Sequence, residues 1–577
     1  MRVRTIGRPL RALPAAIVVL LLAGHAAAAE PAVPGYADYD AFRAQLESIA
    51  KSEFATLESL GRTLGKREVC LLRIGTGPMD EKPAILVVGS VEPAHLAGSE
   101  LAVRVARRLV EGAKKDKAVR AMLDRVTFYV IPRPSPDACE AFFRRPYCER
   151  DTNERPTDDD RDGKTDEDGP DDLDGDGWIT QMRVEDPAGA YMPHPDDPRV
   201  LVKADSKKNE QGRWSLYVEG RDNDGDEAFG EDPPGGVAFN RNFTLKYPYF
   251  EPGAGPHQVS EVETRAVADF AFSRPNVAAV LTFTPEDNLM RPWKPNPAAE
   301  GQKIKTALLG ADAPTMDFLA ETYRKIHGGK DPPESPAGEG SFSAWAYFHY
   351  GRWSLGARAW WVPKVDAEKK KADPQDKKDK PEAKDKKAKE EKRGADDLSA
   401  LRWLAREKID GFVPWKEVKH PDFPGRKVEV GGFRPFVRTN PPATELDGLA
   451  EKHEKFLARL VTLLPQLVIH EVKAERLGEG VWRVTAVVLN RGYLPTASKM
   501  GQTSRQPQPL QIALDLPQGV TLLTGHPRAQ LPVLSGSGGR AEQSWLVRAP
   551  KGKPVTIPVR VWSPSVGEAR AEANLGK

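Results

Sequence analysis

The sequence predicts an α/β protein with a mixed, largely parallel sheet covered by helices on both faces, followed by an all-β sandwich. Three observations carry this prediction. Short, continuously apolar runs (AILVV at 84–88, VTFYVI at 126–131) alternate with helical spacing at 39–50 and 100–111. Runs of that kind belong to strands buried on both faces. After an acidic, glycine-rich break the rhythm returns, with a helical pattern at 261–272, an apolar run at 277–283 and a Trp- and Tyr-rich segment at 342–361. From 467 onward the pattern becomes short alternating strands (VWRVTAVVLN, LQIALDL, VTIPVRVW) parted by Gly, Pro and Ser turns. No helical period is visible there, and a sandwich is expected.

The N-terminal residues 1–29 read as an export leader. Arg2, Arg4, Arg8 and Arg11 precede an apolar run too short to span a bilayer comfortably, and Ala26 to Ala29 offers a small-residue cleavage site. A secreted or periplasmic location follows, with no membrane span once the leader is cut. The α/β domain then runs from 30 to 465, with an acidic insertion at 150–236, and the sandwich from 466 to 577. Within the α/β domain, 364–397 is dominated by Lys, Asp and Glu, a composition that cannot offset chain entropy by burial, so it reads as a disordered loop.

The formal net charge of +2 becomes −2 when the four leader arginines are removed. That balance excludes a nucleic-acid partner. Of the three cysteines, Cys139 and Cys148 are near enough in sequence to pair, which would leave Cys70 over; isolated buried thiols are the alternative.

Landmarks along the α/β region occur in a recognisable order. GSVEPAHLAGSE at 89–100 follows a strand, and IPRPSPDA at 131–138 follows the next. GVAFNRNF spans 236–243, LTFTPED spans 281–287, and GSFSAWAYFHYG with ARAWW lies within 340–361. The set resembles the zinc carboxypeptidase family (carboxypeptidase A and T type), with GVAFNRNF closest to that family's GVDLNRNF. The resemblance implies a carboxypeptidase-like fold and a site for peptide substrates.

It also implies where the metal chemistry should lie, and those positions differ here. A catalytic zinc takes three protein ligands and leaves a place for water. The family's HxxE has become ExxH, Glu92 and His95, and its third ligand position holds Thr284, a poor zinc donor. The resemblance aligns the family's general-base glutamate with Arg358, which cannot take a proton. No catalytic residue is therefore assigned. The expectation for the vacated place is that Arg358 reaches in and pairs with Glu92, with Glu286 or Asp287 accepting its other hydrogen bonds. Of the substrate-anchoring positions, Asn240 and Arg241 match the family's carboxylate-binding pair, and Arg150 is matched loosely to the arginine that polarises the scissile carbonyl.

The acidic insertion carries three aspartate ladders: Asp158, Asp160, Asp162; Asp172, Asp174, Asp176; and Asp222, Asp224, Asp226. Alternate carboxylates on a turning loop converge as in the first half of a calcium loop. The second ladder, DLDGDGWIT, is the best match. None has Glu at position twelve, where Gly169, Arg183 and Pro233 stand, so Asp166, Asp168 and Glu231 are candidates to complete the shell. The cofactor expected is calcium, and the donor set argues against zinc.

Three readings follow. The first is an exported carboxypeptidase-like protein that is catalytically inactive and binds peptide or peptidoglycan-like envelope material. The second is an active metallocarboxypeptidase with a rewired zinc site. The third is a structural envelope protein that works through its sandwich and calcium loops.

Overall fold

The computed structural model describes residues 31–158, 163–166, 168–223, 225, 235–336, 338–365, 393–550 and 553–576. The leader 1–29 lies outside the described residues. The central sheet has six strands in the order Ala55–Arg62, Glu68–Ile74, Thr127–Ile131, Ala84–Val88, Val277–Phe283, Trp353–Ala357. The last four run parallel to one another, and the first two join antiparallel. The mixed sheet of the prediction is present, with an antiparallel hairpin at one edge that the sequence pattern did not separate.

Both faces of this sheet are covered. Ile85 and Val87 on one face pack with the helices Ala97–Lys115 and Ala443–Leu463, while Ala84, Leu86 and Val88 on the other pack with Val262–Ser273 and Phe342–Phe348. A strand buried on both sides has no polar face to display, which is why these runs lack alternation.

The acidic insertion is more structured than a break in a pattern. Its strands Gln181–Glu185, Tyr191–Pro193, Leu201–Lys203 and Trp214–Val218 join Phe412–Val418 and Val428–Phe433 in a second, antiparallel six-stranded sheet. Residues that follow the charged loop thus complete a sheet begun more than two hundred positions earlier. Residues 366–392 of that loop lie outside the described residues. Its C-terminal edge corrects the predicted boundary: Asp396 and Asp397 stand in the first turn of the helix Ala395–Glu407, where acids suit the helix dipole. Leu398 and Leu401 of this helix bury against Val200 and Val202 of the insertion.

Beyond the helix Ala443–Leu463 the fold is dominated by β-structure. Two four-stranded antiparallel sheets enclose a separate core around Trp545, Val484 and Val559. This module is docked on the α/β domain. Asp312, buried, accepts the N–H groups of Lys499 and Met500 at 2.7 and 3.0 Å and the Tyr347 hydroxyl at 2.7 Å. Tyr493 stacks on Phe318 at 4.2 Å between ring centres. The three thiols are free: Cys70 and Cys139 are buried, and Cys148 is half-buried.

An internal amide organises the root of the insertion. Asn153 Nδ2 donates to both Glu261 and Glu263, at 2.9 and 2.8 Å, and its Oδ1 accepts from Arg155 and Val237 N–H. Burial raises the Glu263 carboxyl to about 7 against the hydrogen bond from Asn153. A carboxyl raised in the folded state binds its proton there at pH values where the unfolded chain has released it. Its contribution is full below the unfolded value of 4.5 and is lost as pH rises through about 7. Between pH 5 and 8, wild type should lose up to about 3 kcal/mol more stability than Glu263→Gln, read from urea denaturation at the two pH values. Equal losses would mean that Glu263 ionises freely.

Candidate functional site

The loop after the strand at 84–88 carries Glu92 and His95; the strand at 277–283 leads into Thr284, Glu286 and Asp287; and the turn Phe239–Arg241 supplies Asn240. Parallel strands end side by side, so residues distant in sequence meet at their C-terminal edge. Asn240 Nδ2 donates to Glu92 Oε1 at 2.5 Å and to Glu286 Oε1 at 3.0 Å. Thr284 Oγ1 donates to the same Glu92 Oε1 at 2.9 Å and accepts from Glu286 N–H at 3.0 Å. The second oxygen of Glu92 is buried and has no partner among the described residues. Asn240 Oδ1 accepts from the Phe342 N–H at 2.8 Å, at the start of the helix Phe342–Phe348.

Two buried carboxyls on one amide repel each other when ionised. Glu92 is pushed well above the ordinary carboxylate range, first by burial and then by the charges of Glu286 and Asp151. Burial lifts Glu286 to about 7 against hydrogen bonds from Ser341 and Asn240. Asp151, which accepts the Ala94 N–H at 2.8 Å, is raised by burial to about 6. Burial and the mutual charge thus favour the protonated form of the pair.

The donors do not fit a zinc ion. Glu92 spends one oxygen on Asn240 and Thr284, and the Thr284 hydroxyl is bonded on both sides. The His95 ring is almost wholly buried, neither nitrogen has a hydrogen-bond partner among the described residues, and burial with the charge of Arg358 lowers it to about 3. No hydrogen bond joins the ring to Glu92. Among the described residues, the only His, Cys, Asp and Glu side chains with three ligand atoms within 4.8 Å of one another are Asp172, Asp174 and Asp176.

Arg358 corrects the expectation placed on it. Its guanidinium forms no ion pair within 4.0 Å of Glu92, Glu286 or Asp287 and bonds instead to the carbonyls of Pro285 and Glu334, at 2.9 and 3.1 Å. It lines a surface cavity with Glu334, Trp361 and Arg438. Its backbone N–H donates to Asp287 Oδ2 at 3.1 Å, and its charge acts on Asp287 and Glu92 only through space. The reason is electrostatic. Asp287 is satisfied by the N–H groups of Leu289, Met290 and Arg358, and burial favours the protonated form of Glu92 and Glu286, so pairing would repay little of a guanidinium's desolvation.

Arg241 is half-buried, its Nε is enclosed without a partner, and among the described residues no side chain pairs with it. Its stem lies against the backbone at Gly253, where an added Cβ would sit 3.6 Å from Cδ. Asn240, by contrast, is fully engaged inside the protein. Arg150 lines a cavity of about 580 Å3 with Arg144, Cys148 and Glu154. Sequence reasoning missed Asp151, the next residue, whose carboxylate faces the loop of Glu92.

Of the aspartate ladders, Asp160, Asp162, Asp224 and Asp226 lie outside the described residues, as does Glu231. Asp158 accepts Gly163 N–H, and Asp222 accepts Gly225 N–H. Asp166 and Asp168 are bonded within the protein, to Gly235 N–H and to Asn223. The Asp172–Asp176 loop closes around glycines 175 and 177, both at positive φ, and the buried Glu219 braces it from beneath through Leu173 and Thr180.

Comparison with known proteins adds to this geometry. A family model described as Zinc carboxypeptidase matches residues 43–172, and one described as a domain of unknown function (DUF8731) matches 466–574. Mouse carboxypeptidase A4 is 28% identical over 104 residues, which is 18% of this chain and 25% of that relative. The chain thus matches a quarter of that relative's length. The structure of thrombin activatable fibrinolysis inhibitor aligns with a TM-score of 0.39 at 10% identity, covering 74% of this chain and 73% of that one. Carboxypeptidase A from Helicoverpa armigera aligns with a TM-score of 0.34 at 13% identity, covering 56% and 63%.

Asn240→Leu should destabilise the protein by about 3 kcal/mol or more, because it strands two buried carboxyls and the Phe342 N–H. Arg358→Ala should cost about 1 kcal/mol, the worth of neutral-acceptor bonds near the surface. Chemical denaturation of the two variants checks this, and a larger loss for Arg358→Ala would reverse the assignment.

Proposed function

Because its α/β domain is of the zinc carboxypeptidase family, we propose that this chain is a carboxypeptidase-like protein that binds peptide or envelope material outside the cytoplasm without hydrolysing it. The observation that carries the reading is the closed hydrogen-bond set of Glu92, Thr284, Asn240 and Glu286. Among the described residues it leaves only Glu92 Oε2 and the His95 ring unbonded, two side chains where a catalytic zinc takes three, and the resemblance puts Arg358 in the general base's place. Arg241 keeps a guanidinium without a side-chain partner among the described residues, suited to receive a ligand's terminal carboxylate through paired, charge-assisted hydrogen bonds. The export leader supports the location, and no described helix is long and apolar enough to cross a membrane.

Two measurements test this reading. With zinc added, release of C-terminal residues from peptides should stay at the background rate, since losing both metal activation and the general base removes several powers of ten. Chelator-sensitive turnover at ordinary rates would restore the enzymatic reading. In calorimetric titration, peptides with a free C-terminus should bind and their C-terminal amides should not, and Arg241→Ala should abolish the difference.

A second reading concerns calcium, and one observation favours it: Asp172, Asp174 and Asp176 bring three carboxylate oxygens within 4.8 Å of one another. On this proposal the insertion binds calcium. A ligand that binds only the native state stabilises it by mass action. The thermal midpoint should rise in millimolar calcium and fall in chelator, and an unchanged midpoint would remove calcium from the account.

A further inference from the structure

We infer that a second cavity, sharing no lining residue with the Glu92–Asn240 cluster, binds a small amphiphile with an apolar body and one anionic head. The cavity measures about 460 Å3, within the range of small-molecule sites. Its walls come from the N-terminal strap 31–34, the segment through Tyr147, the acidic loop at Trp178, and the stretches around Trp403 and Val437. Prolines and aromatic rings make up much of the wall, so little side-chain entropy is lost when a ligand enters.

The walls are held in place. Ala32 N–H bonds to Phe142 O at 2.9 Å, anchoring the strap. Trp178 N–H bonds to Asp176 Oδ1 at 2.8 Å, while Tyr147 N–H bonds to Gly177 O and Ile179 N–H to Tyr147 O, both at 2.9 Å. The rings of Tyr147 and Trp178 stand 4.6 Å apart, and Arg434 lies over Trp178 at 4.7 Å. The aspartate loop therefore fixes one side of the cavity.

Charge at the mouth chooses the head group. Arg145, Lys408 and Arg434 line the cavity with one acid, Asp410, which Arg434 neutralises at 2.8 Å. Lys408 is exposed, forms no ion pair among the described residues, and adopts the left-handed conformation at the end of the helix Ala395–Glu407, φ 56°. A cationic amphiphile would meet the Lys408 ammonium, and a small hydrated anion would leave the apolar wall unused. A medium-chain carboxylate satisfies both halves.

The test is titration of the full chain with sodium decanoate below its micelle concentration, followed by calorimetry and tryptophan fluorescence. Saturable one-to-one binding is expected, with decyltrimethylammonium and inorganic phosphate failing to compete. Lys408→Glu, at an exposed position, should keep the wild-type melting temperature and weaken decanoate by at least about tenfold. No saturable binding, equal binding of the cationic amphiphile, or unchanged affinity in Lys408→Glu would overturn the proposal. Arg241 is not in this cavity, so Arg241→Ala should leave decanoate binding intact, which separates this outcome from that of the peptide reading.

Discussion

Burying carboxyl groups at the end of a parallel sheet is the constraint from which the rest of this site follows. An isolated carboxylate inside protein is costly unless it meets a cation, a proton or several donors. A metallopeptidase meets the requirement with a dication. This chain meets it with one amide and one hydroxyl, and burial favours the protonated forms of Glu92 and Glu286. The same device occurs at Asn153, whose Nδ2 joins Glu261 and Glu263 where the insertion leaves the sheet. An amide is well suited to this task because its two hydrogens can each satisfy a different acid while its oxygen serves a backbone N–H.

Asn240 also ties the cluster to the far module. Its oxygen fixes the first N–H of the helix Phe342–Phe348, and Tyr347 of that helix bonds to Asp312, which in turn caps Lys499 and Met500. The chain of contacts is continuous, short and buried. It packs the sandwich firmly against the α/β domain at this point, with Met500 and Leu494 entering the α/β core. The second sheet performs the corresponding task for the insertion, since it is built jointly from that segment and from residues after the charged loop.

Much of the fold was legible because buried strands and amphipathic helices impose periods that survive in sequence. The strand at 277–283 and the helix at 39–50 coincide with their predicted limits. The antiparallel sheet of the insertion was not legible. Its strands are only three to seven residues long, and its two halves join through one pairing, Val428–Gly431 with Gln181–Val184, across more than two hundred positions, so no local period announces the sheet. At the site, the family pattern located Glu92, His95, Thr284 and Asn240, but composition alone could not say who bonds to whom. Arg358 was misread because a charge argument took the carboxyls as ionised. Burial favours their protonated forms and lessens what a guanidinium would gain by pairing with them.

This coupling bears on whether the site is a damaged metal centre or a replacement for one. Unpaired buried polar atoms cost about 1–3 kcal/mol each, and the site has both kinds of position: Glu92 Oε2 and the His95 nitrogens are unpaired among the described residues, whereas Thr284 and Asn240 are bonded. Here Thr284 is not simply a missing imidazole, because its hydroxyl donates to Glu92 and accepts from the backbone of Glu286. Asn240 is not simply retained, because its amide now spans both glutamates. Restoring histidine at position 92 alone would strip Asn240 and Thr284 of an acceptor and still leave Thr284 a poor donor to a metal. The residues form a mutually dependent set, as positions within one buried hydrogen-bond network do when changes are not additive. Three partnerless atoms remain beside it, Glu92 Oε2 and both ring nitrogens of His95, so the network satisfies Asn240 and Thr284 more completely than it satisfies the two members of the ExxH pair.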